Sequence, residues 1–230
     1  MLRKIGILGG MGPLATADLF RKIIVHTRAS SDNEHIPICI DNNTAIPDRT
    51  AAILGKGVSP VPEMVRSALR LECMGADFLV IPCNTAHFFL PDIRSMVRIP
   101  ILNMLEETAR QLASRGIDCA ALLATDGTLQ ARVYDKALEA QGIGVLRPDI
   151  EGQKAVMDQI YRGVKMGNLS LDLTPLLAAL DRLRASGAQT FILGCTELPI
   201  LFERIEGYPI ADPTDILARR AVEFAGAEVQ

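Results

Sequence analysis

Phe78-Leu79-Val80-Ile81-Pro82-Cys83-Asn84-Thr85-Ala86-His87 returns in altered form as Thr190-Phe191-Ile192-Leu193-Gly194-Cys195-Thr196-Glu197-Leu198-Pro199. Each copy is a four-residue apolar run, then a Pro or Gly, then a Cys, then small polar residues. Short apolar runs bounded by turn residues read as buried strands of a parallel sheet. Pro82 and Gly194 end the runs, and the residues after each Cys read as helix starts. Each thiol is therefore expected where a parallel strand hands over to a helix, at the carboxyl end of a sheet. Open α/β sheets bind their ligands there. Two thiols held this way by two related half-chains suggest an acid and a base on opposite faces of one small substrate.

Outward from these strands the chain alternates strand and helix. Ile5 to Leu8 is a first strand, followed by Gly9-Gly10-Met11-Gly12-Pro13 and a helix with Phe20, Ile23, Ile24 and Thr27 on one face. Ile36 to Ile40 is a second strand, and Asp41 to Thr50 a polar loop. The next helix carries Val61, Met64, Val65, Ala68 and Leu69 and stops near Gly75. A short strand is expected at Ile99 to Leu102. In the second half, strands at Asp118–Ala124 and Gly144–Leu146 frame a helix through Ala131, Val133, Tyr134 and Ala137-Leu138. A helix from about Gly152 to Met166 carries Val156, Ile160 and Val164. Thr174-Pro175 caps another in the preferred order, and Ile210-Ala211-Asp212 leads into a last helix.

This order predicts an α/β protein with mainly parallel sheets. The halves also echo each other. Gly12 aligns with Gly127 at an offset of 115 residues, and Cys83 with Cys195 at 112. A repeat this long, used twice, is a duplicated domain rather than a solenoid. We expect two pseudo-symmetric domains, 1–103 with 209–230 and 104–208, with the site in the cleft between them.

The 230 residues are 49% hydrophobic and 22% charged, with a net charge of −3, an ordinary balance for a soluble globular chain. Lys and Arg are scattered, so neither a nucleic-acid backbone nor an anionic membrane surface is an expected partner. No apolar run is long enough to cross a bilayer, and Met1 to Gly10 reads as a first strand rather than a signal peptide. The cysteines are Cys39, Cys73, Cys83, Cys119 and Cys195. An odd count at wide spacing argues against a disulfide framework and for a reducing, cytoplasmic setting. Cys39, Cys73 and Cys119 are expected as small buried hydrophobes; only Cys83 and Cys195 have polar, turn-forming neighbours.

Gly10-Met11-Gly12-Pro13-Leu14-Ala15 fits the dinucleotide pattern, with Asp32 and Glu34 near the distance of a ribose partner. Pro13, however, removes an N–H that a pyrophosphate would use. The loop reads instead as a close backbone approach for a small anionic ligand, or as a structural turn. Cys83, His87 and Cys195 lack the dense spacing of a zinc site, so no metal is expected. A cysteine hydrolase with His87 as base would leave the second motif without a purpose. A thiol at a helix N-terminus has a lowered pKa, and paired thiols can take a proton from one face of a carbon acid and return it on the other. Asn84, Thr85 and Thr196 offer donors to a carboxylate. Glu197 and Asp48 suit an ammonium group. Arg49 suits a second carboxylate through its planar fork, and Lys165 can reach the same group; taken alone, both also read as solvated surface charges. His26 and His35 are assigned to the surface.

At these residues the chain resembles a known family. Leu8-Gly9-Gly10-Met11-Gly12-Pro13, Pro47-Asp48-Arg49-Thr50, Pro82-Cys83-Asn84-Thr85-Ala86-His87 and Gly194-Cys195-Thr196-Glu197 occur in order across nearly the whole chain. Together they resemble the aspartate racemase branch of the aspartate/glutamate racemase superfamily. The resemblance implies two pseudo-symmetric α/β domains, a homodimer, and racemisation of a small acidic amino acid without any cofactor. By motif match it makes Cys83 and Cys195 the catalytic pair. It places Met11, Asn84, Thr85, Ala86, Thr196 and Glu197 around the substrate, with Arg49, and with less weight Lys165, at the side-chain carboxylate. Aspartate is the expected substrate, with glutamate second. Isomerisation or decarboxylation of a small dicarboxylate, or non-catalytic binding of an acidic amino acid, are the alternatives.

Overall fold

Ile5–Gly9 (β1) is the central strand of a three-stranded parallel sheet. Ile38–Asn42 (β2) lies on one side of it and Phe78–Val80 (β3) on the other. The second half repeats the plan in a computed structural model that describes residues 2–230. There Cys119–Leu123 (β4) is flanked by Gly144–Leu146 (β5) and Thr190–Leu193 (β6), with Ile210–Ala211 (β7) outside β6, all parallel. The Cys83 strand β3 and the Cys195 strand β6 occupy the same place in their sheets. The repeat extends further: an isolated parallel bridge pairs Leu79 with Ile101, where the second sheet pairs β6 with β7. The Ile99–Leu102 strand expected from sequence is reduced to that bridge.

Both faces of each sheet are covered, which explains why the strands are apolar on both sides. One face of the first sheet meets Met64, Ala68 and Leu71 of the Val61–Cys73 helix. The other meets Leu19 and Ile23 of Pro13–His26 and Leu217, Ala221 and Val222 of Pro213–Ala225. On the second sheet, Leu105, Ala109 and Leu112 of Met104–Ser114 cover one face with Tyr134 and Leu138. The two halves have therefore exchanged helices. The helix that follows the first sheet lies on the second, and the helix that follows the second sheet returns to the first. Within 209–230, the helix Pro213–Ala225 packs on the first sheet, whereas β7 pairs with β6 in the second.

Several local expectations are corrected. The buried stripe of Pro13–His26 is Ala15, Thr16, Leu19, Ile23 and His26, and Phe20 and Ile24 are exposed. His26 is not a surface residue: it is buried, with Nε2 2.5 Å from Asp215 Oδ1 on the returning helix. Of the three cysteines expected as buried hydrophobes, Cys39 is buried, Cys119 half-buried and Cys73 exposed. The polar loop ends early, because Asp48 caps a short helix, Arg49–Ile53, by accepting from Ala51 N at 2.7 Å. Thr125 likewise caps Asp126–Gln130, and of the helix expected through Ala131 to Leu138 only Asp135–Glu139 is helical, with Ala131 to Tyr134 forming turns. Thr174 is not the cap of its helix but its first residue, and Asp172 Oδ1 accepts from Thr174 N at 2.9 Å. The long helix expected to Met166 is regular only over Ile150–Asp158. It widens into a π-turn at Gln159–Gly163 and tightens into a 3-10 turn at Val164–Met166, because Gly163 leaves the helical region at φ −87°, ψ −102°.

Candidate active site

The carboxyl ends of β1, β3, β4 and β6 converge on one cleft, with about 290 Å3 of free space including its open mouth. Met11 follows β1, Cys83 to Thr85 follow β3, Thr125 follows β4 and Cys195 to Glu197 follow β6, and all line the cleft. Asp48, Arg49 and Thr50 enter from the short capped helix, and Tyr161 and Lys165 from the π-turn and the turn after it. Of the expected site residues, only Ala86 is missing from this wall. It is fully buried in the core of the first half. Thr50, Thr125 and Tyr161 were not expected.

Each thiol is seated by its turn. Gly194 permits the tight exit from β6: a Cβ there would meet Leu122 Cδ1 at 2.7 Å. After β3 the chain enters a 3-10 turn, Thr85–Phe89, before the helix Leu90–Arg94. His87 locks that turn. Its Nδ1 lies 2.9 Å from the carbonyl oxygen of Cys83, and its Nε2 accepts from Met104 N at 3.1 Å. Both ring nitrogens are thus engaged by backbone, and full burial pushes the His87 pKa down to about 4. A neutral, saturated imidazole serves neither as general base nor as metal ligand.

The two thiols have different neighbours. Cys195 Sγ donates to Glu197 Oε2 at 2.9 Å. Burial, and then the negative charge of Glu197, raise the Cys195 pKa well above the ordinary thiol value. The expected lowering by a helix N-terminus fails here, because the next helix is only Leu198–Phe202 and starts three residues on. Cys83 instead faces the Arg49 guanidinium. Burial opposes the charge on Arg49, but Cys83, Asp48 and Glu197 more than offset it and leave its pKa above the ordinary value. Its Nη1 donates to Pro47 O at 2.9 Å and its Nη2 to Met11 O at 3.0 Å, while Nε is buried without a partner. Lys165 Nζ sits 4.0 Å from Glu197 Oε1 and 4.5 Å from the centre of the Tyr161 ring. Burial again opposes its charge, and Glu197 and Cys195 outweigh it, so its pKa is raised.

The floor is made of hydroxyls and one amide. Thr50 donates to Thr125 at 3.0 Å, Thr85 and Thr128 are 2.7 Å apart, and Thr125 and Thr128 3.1 Å apart. This buried cluster ties the halves together beneath the thiols. Tyr134 donates to Asn84 Oδ1, which leaves Asn84 Nδ2 buried and unpartnered at the cleft. Thr50 stands in the Pro47-Asp48-Arg49-Thr50 motif, where the sequence gives it no role; Tyr161 lies in no motif, and only the echo of Gly10-Met11-Gly12 in Thr125-Asp126-Gly127 points toward Thr125.

The fold and site define a class: duplicated α/β proteins in which each half sends one thiol into a shared cleft built for a small charged ligand. The chain belongs to the Asp/Glu/hydantoin racemase family, whose model matches residues 8–221, and is thereby an amino-acid racemase. It is 29% identical to the broad specificity amino-acid racemase RacX of Bacillus subtilis (strain 168), over 95% of this chain and 96% of that protein. It superposes on the aspartate racemase of Picrophilus torridus with a TM-score of 0.88 and 30% identity, over 99% of this chain and 96% of that one. The glutamate racemase of Francisella tularensis subsp. tularensis SCHU S4, solved with D-glutamate, shares the fold with a TM-score of 0.71 at 18% identity, over 96% of this chain and 80% of that one.

Proposed function

We propose that the protein interconverts L- and D-aspartate, with glutamate as a second substrate, through Cys83 and Cys195 and without pyridoxal phosphate. The observation that carries this reading is the pair of buried thiols on equivalent strands, opening into one cleft that also holds Arg49 and Lys165. One sulfur, as thiolate, removes the α-proton. The other, as thiol, delivers a proton to the opposite face, and the roles exchange with the direction of reaction. The difficult species is the carbanion beside the α-carboxylate. The free amide of Asn84 and the hydroxyls of Thr85 and Thr196 are fixed donors for that carboxylate before the reaction starts, which is where electrostatic stabilisation is most effective. Arg49 and Lys165 supply positive charge for the side-chain carboxylate, and Asp48 and Glu197 balance an ammonium group. Aspartate is favoured as substrate because the 30%-identical Picrophilus torridus relative is an aspartate racemase. We also infer a cytoplasmic homodimer, which analytical ultracentrifugation tests.

The experiment is proton NMR of each enantiomer of aspartate, glutamate and a non-acidic amino acid with the purified protein in deuterated water, without added cofactor. We expect loss of the α-proton signal with aspartate and appearance of its mirror image on a chiral column. Cys83→Ala and Cys195→Ala should each abolish racemisation. Racemisation at the normal rate by the double variant would overturn the two-thiol reading. Preference for the non-acidic substrate would overturn the assignment of aspartate.

A further inference from the structure

The repeat is broken beside the thiols in a way that gives them unequal chemistry. Cys83 is followed by Asn84 and Thr85, and Cys195 by Thr196 and Glu197. Two positions after the thiol there is a hydroxyl in the first half and a carboxylate in the second. That carboxylate is buried, and its Oε2 lies 2.9 Å from Cys195 Sγ and 3.5 Å from Thr196 Oγ1. Its Oε1 lies 4.0 Å from Lys165 Nζ on the segment across the cleft. The Lys165 ammonium also faces Cys195 and works against Glu197 there, and the phenols of Tyr161 and Tyr134 lie within range. Cys83 faces instead Arg49, a permanent cation.

We propose that Glu197 is a positioning residue that holds the proton on Cys195, so that the resting enzyme presents Cys195 as the proton donor and Cys83 as the base. The inference rests on the two-thiol reading above and deepens it. In the direction served by this resting form, the α C–H bond breaks and an S–H bond forms on Cys83. The electron pair stays on the α-carbon and spreads into its carboxylate. The Cys195 S–H bond then breaks as a new C–H bond forms on the opposite face. The substrate has lost and gained one proton, and so has the enzyme, which now holds its thiolate at Cys195 beside the Glu197 carboxylate. Two like charges at hydrogen-bond distance disfavour that form, and the enzyme returns to rest either through the reverse reaction or by gaining a solvent proton at Cys195 while Cys83 gives its proton up to solvent. Mirror-image substrates are equally stable in water, so kcat/KM is the same in both directions whatever Glu197 does. The asymmetry therefore shows in the thiols themselves, and in kcat and KM taken separately.

The test is alkylation of the full chain with iodoacetamide between pH 6 and pH 10, with each cysteine followed by peptide mass spectrometry. Cys73 is exposed and serves as the internal reference. In the native protein Cys83 should be modified well before Cys195. Glu197→Gln keeps the size and an acceptor for the thiol but removes the charge. It should speed alkylation of Cys195 near pH 7 by about tenfold and move its pH midpoint down by about one unit, leaving Cys83 and Cys73 unchanged. Glu197→Asp, which draws the carboxylate back by one methylene, should shift Cys195 in the same direction by less; it supplies the result if Glu197→Gln fails the circular-dichroism check of folding. Equal Cys195 rates and midpoints in the native protein and the variants would overturn the inference, as would faster modification of Cys195 than of Cys83 in the native protein. Alkylation needs no turnover, so absent racemisation with a shifted Cys195 midpoint would remove the racemase reading alone. Normal racemisation with an unshifted midpoint would remove this inference alone.

Discussion

Tyr134 never reaches the cleft wall, yet it decides what Asn84 offers there. Its hydroxyl is fully buried and donates to Asn84 Oδ1, and burial raises its pKa above the ordinary phenol range, so it remains a donor at working pH. With its oxygen occupied, Asn84 presents its amide nitrogen to a ligand. Tyr134→Phe strands Asn84 Oδ1 in the interior, which should cost about 1–3 kcal/mol of stability in urea unfolding. It also frees the amide to flip, and we expect kcat/KM to fall roughly tenfold, about 1.4 kcal/mol of transition-state stabilisation. An unchanged kcat/KM with lowered stability would reduce Tyr134 to a packing residue. Asn84, Thr196 and Glu197 are legible in the sequence because each is contiguous with its cysteine. Tyr134 is not, because its partner is 50 residues away, and the burial of His26 is not, because its partner, Asp215, is 189 residues away. Lys165 is legible through the resemblance, with less weight than Arg49, and Glu197 and the Tyr161 ring give it a position.

The turn after β3 is held in place by a single buried side chain. His87 joins the Cys83 carbonyl to Met104 N at the start of the next helix, and only the neutral ring can accept from that N–H. Its pKa of about 4 in the fold lies below its ordinary value of 6.5, so the unfolded chain takes up a proton that the native chain refuses. The stability contributed by neutral His87 is thus complete above about pH 6.5 and is lost as the pH falls toward 4. The difference corresponds to about 3 kcal/mol. His87→Gln keeps one donor and one acceptor but does not titrate. Urea unfolding at pH 7 and pH 4 should therefore show the native protein losing about 3 kcal/mol more than the variant; parallel losses would mean that His87 titrates normally. The sequence pattern located nearly every strand, since apolar runs ending in Gly or Pro are local signals. It could not reveal that the helix after Asp158 becomes a π-turn, because Val156, Ile160 and Val164 keep a helical period through it. That widening, a feature frequent at functional sites, accompanies the entry of Tyr161 and Lys165 into the cleft.

Across the whole molecule, the duplication was readable from two offsets, whereas the exchange of helices between the halves was not, because an amphipathic face does not say which sheet it covers. The exchange makes each half incomplete alone. Lys22 on Pro13–His26 pairs with Asp212 at 2.6 Å, and Asp212 caps the returning helix, so the covering helix is pinned where it arrives. The halves also meet directly at Gly127, the glycine that the repeat aligns with Gly12. Its α-carbon faces Thr50, and an added Cβ would lie 2.8 Å from Thr50 Cα and 2.9 Å from Thr50 Oγ1. A backbone atom cannot rotate aside, so Gly127→Ala must either push the halves apart or strain both turns. Overpacking of this kind costs about 1–3 kcal/mol. It also stretches the hydrogen bond from Thr50 to Thr125, now 3.0 Å, at the floor between the thiols. The two-sided proton transfer proposed above depends on both sulfurs being held in line with one carbon, and a displacement of about 1 Å at a reacting centre can cost on the order of a hundredfold. We therefore expect Gly127→Ala to lower kcat/KM for both aspartate enantiomers equally and by more than its loss of stability would suggest, with iodoacetamide reactivity at Cys83 and Cys195 retained. Full activity alongside a lowered urea midpoint would mean that the spacing of the halves is not what sets the rate.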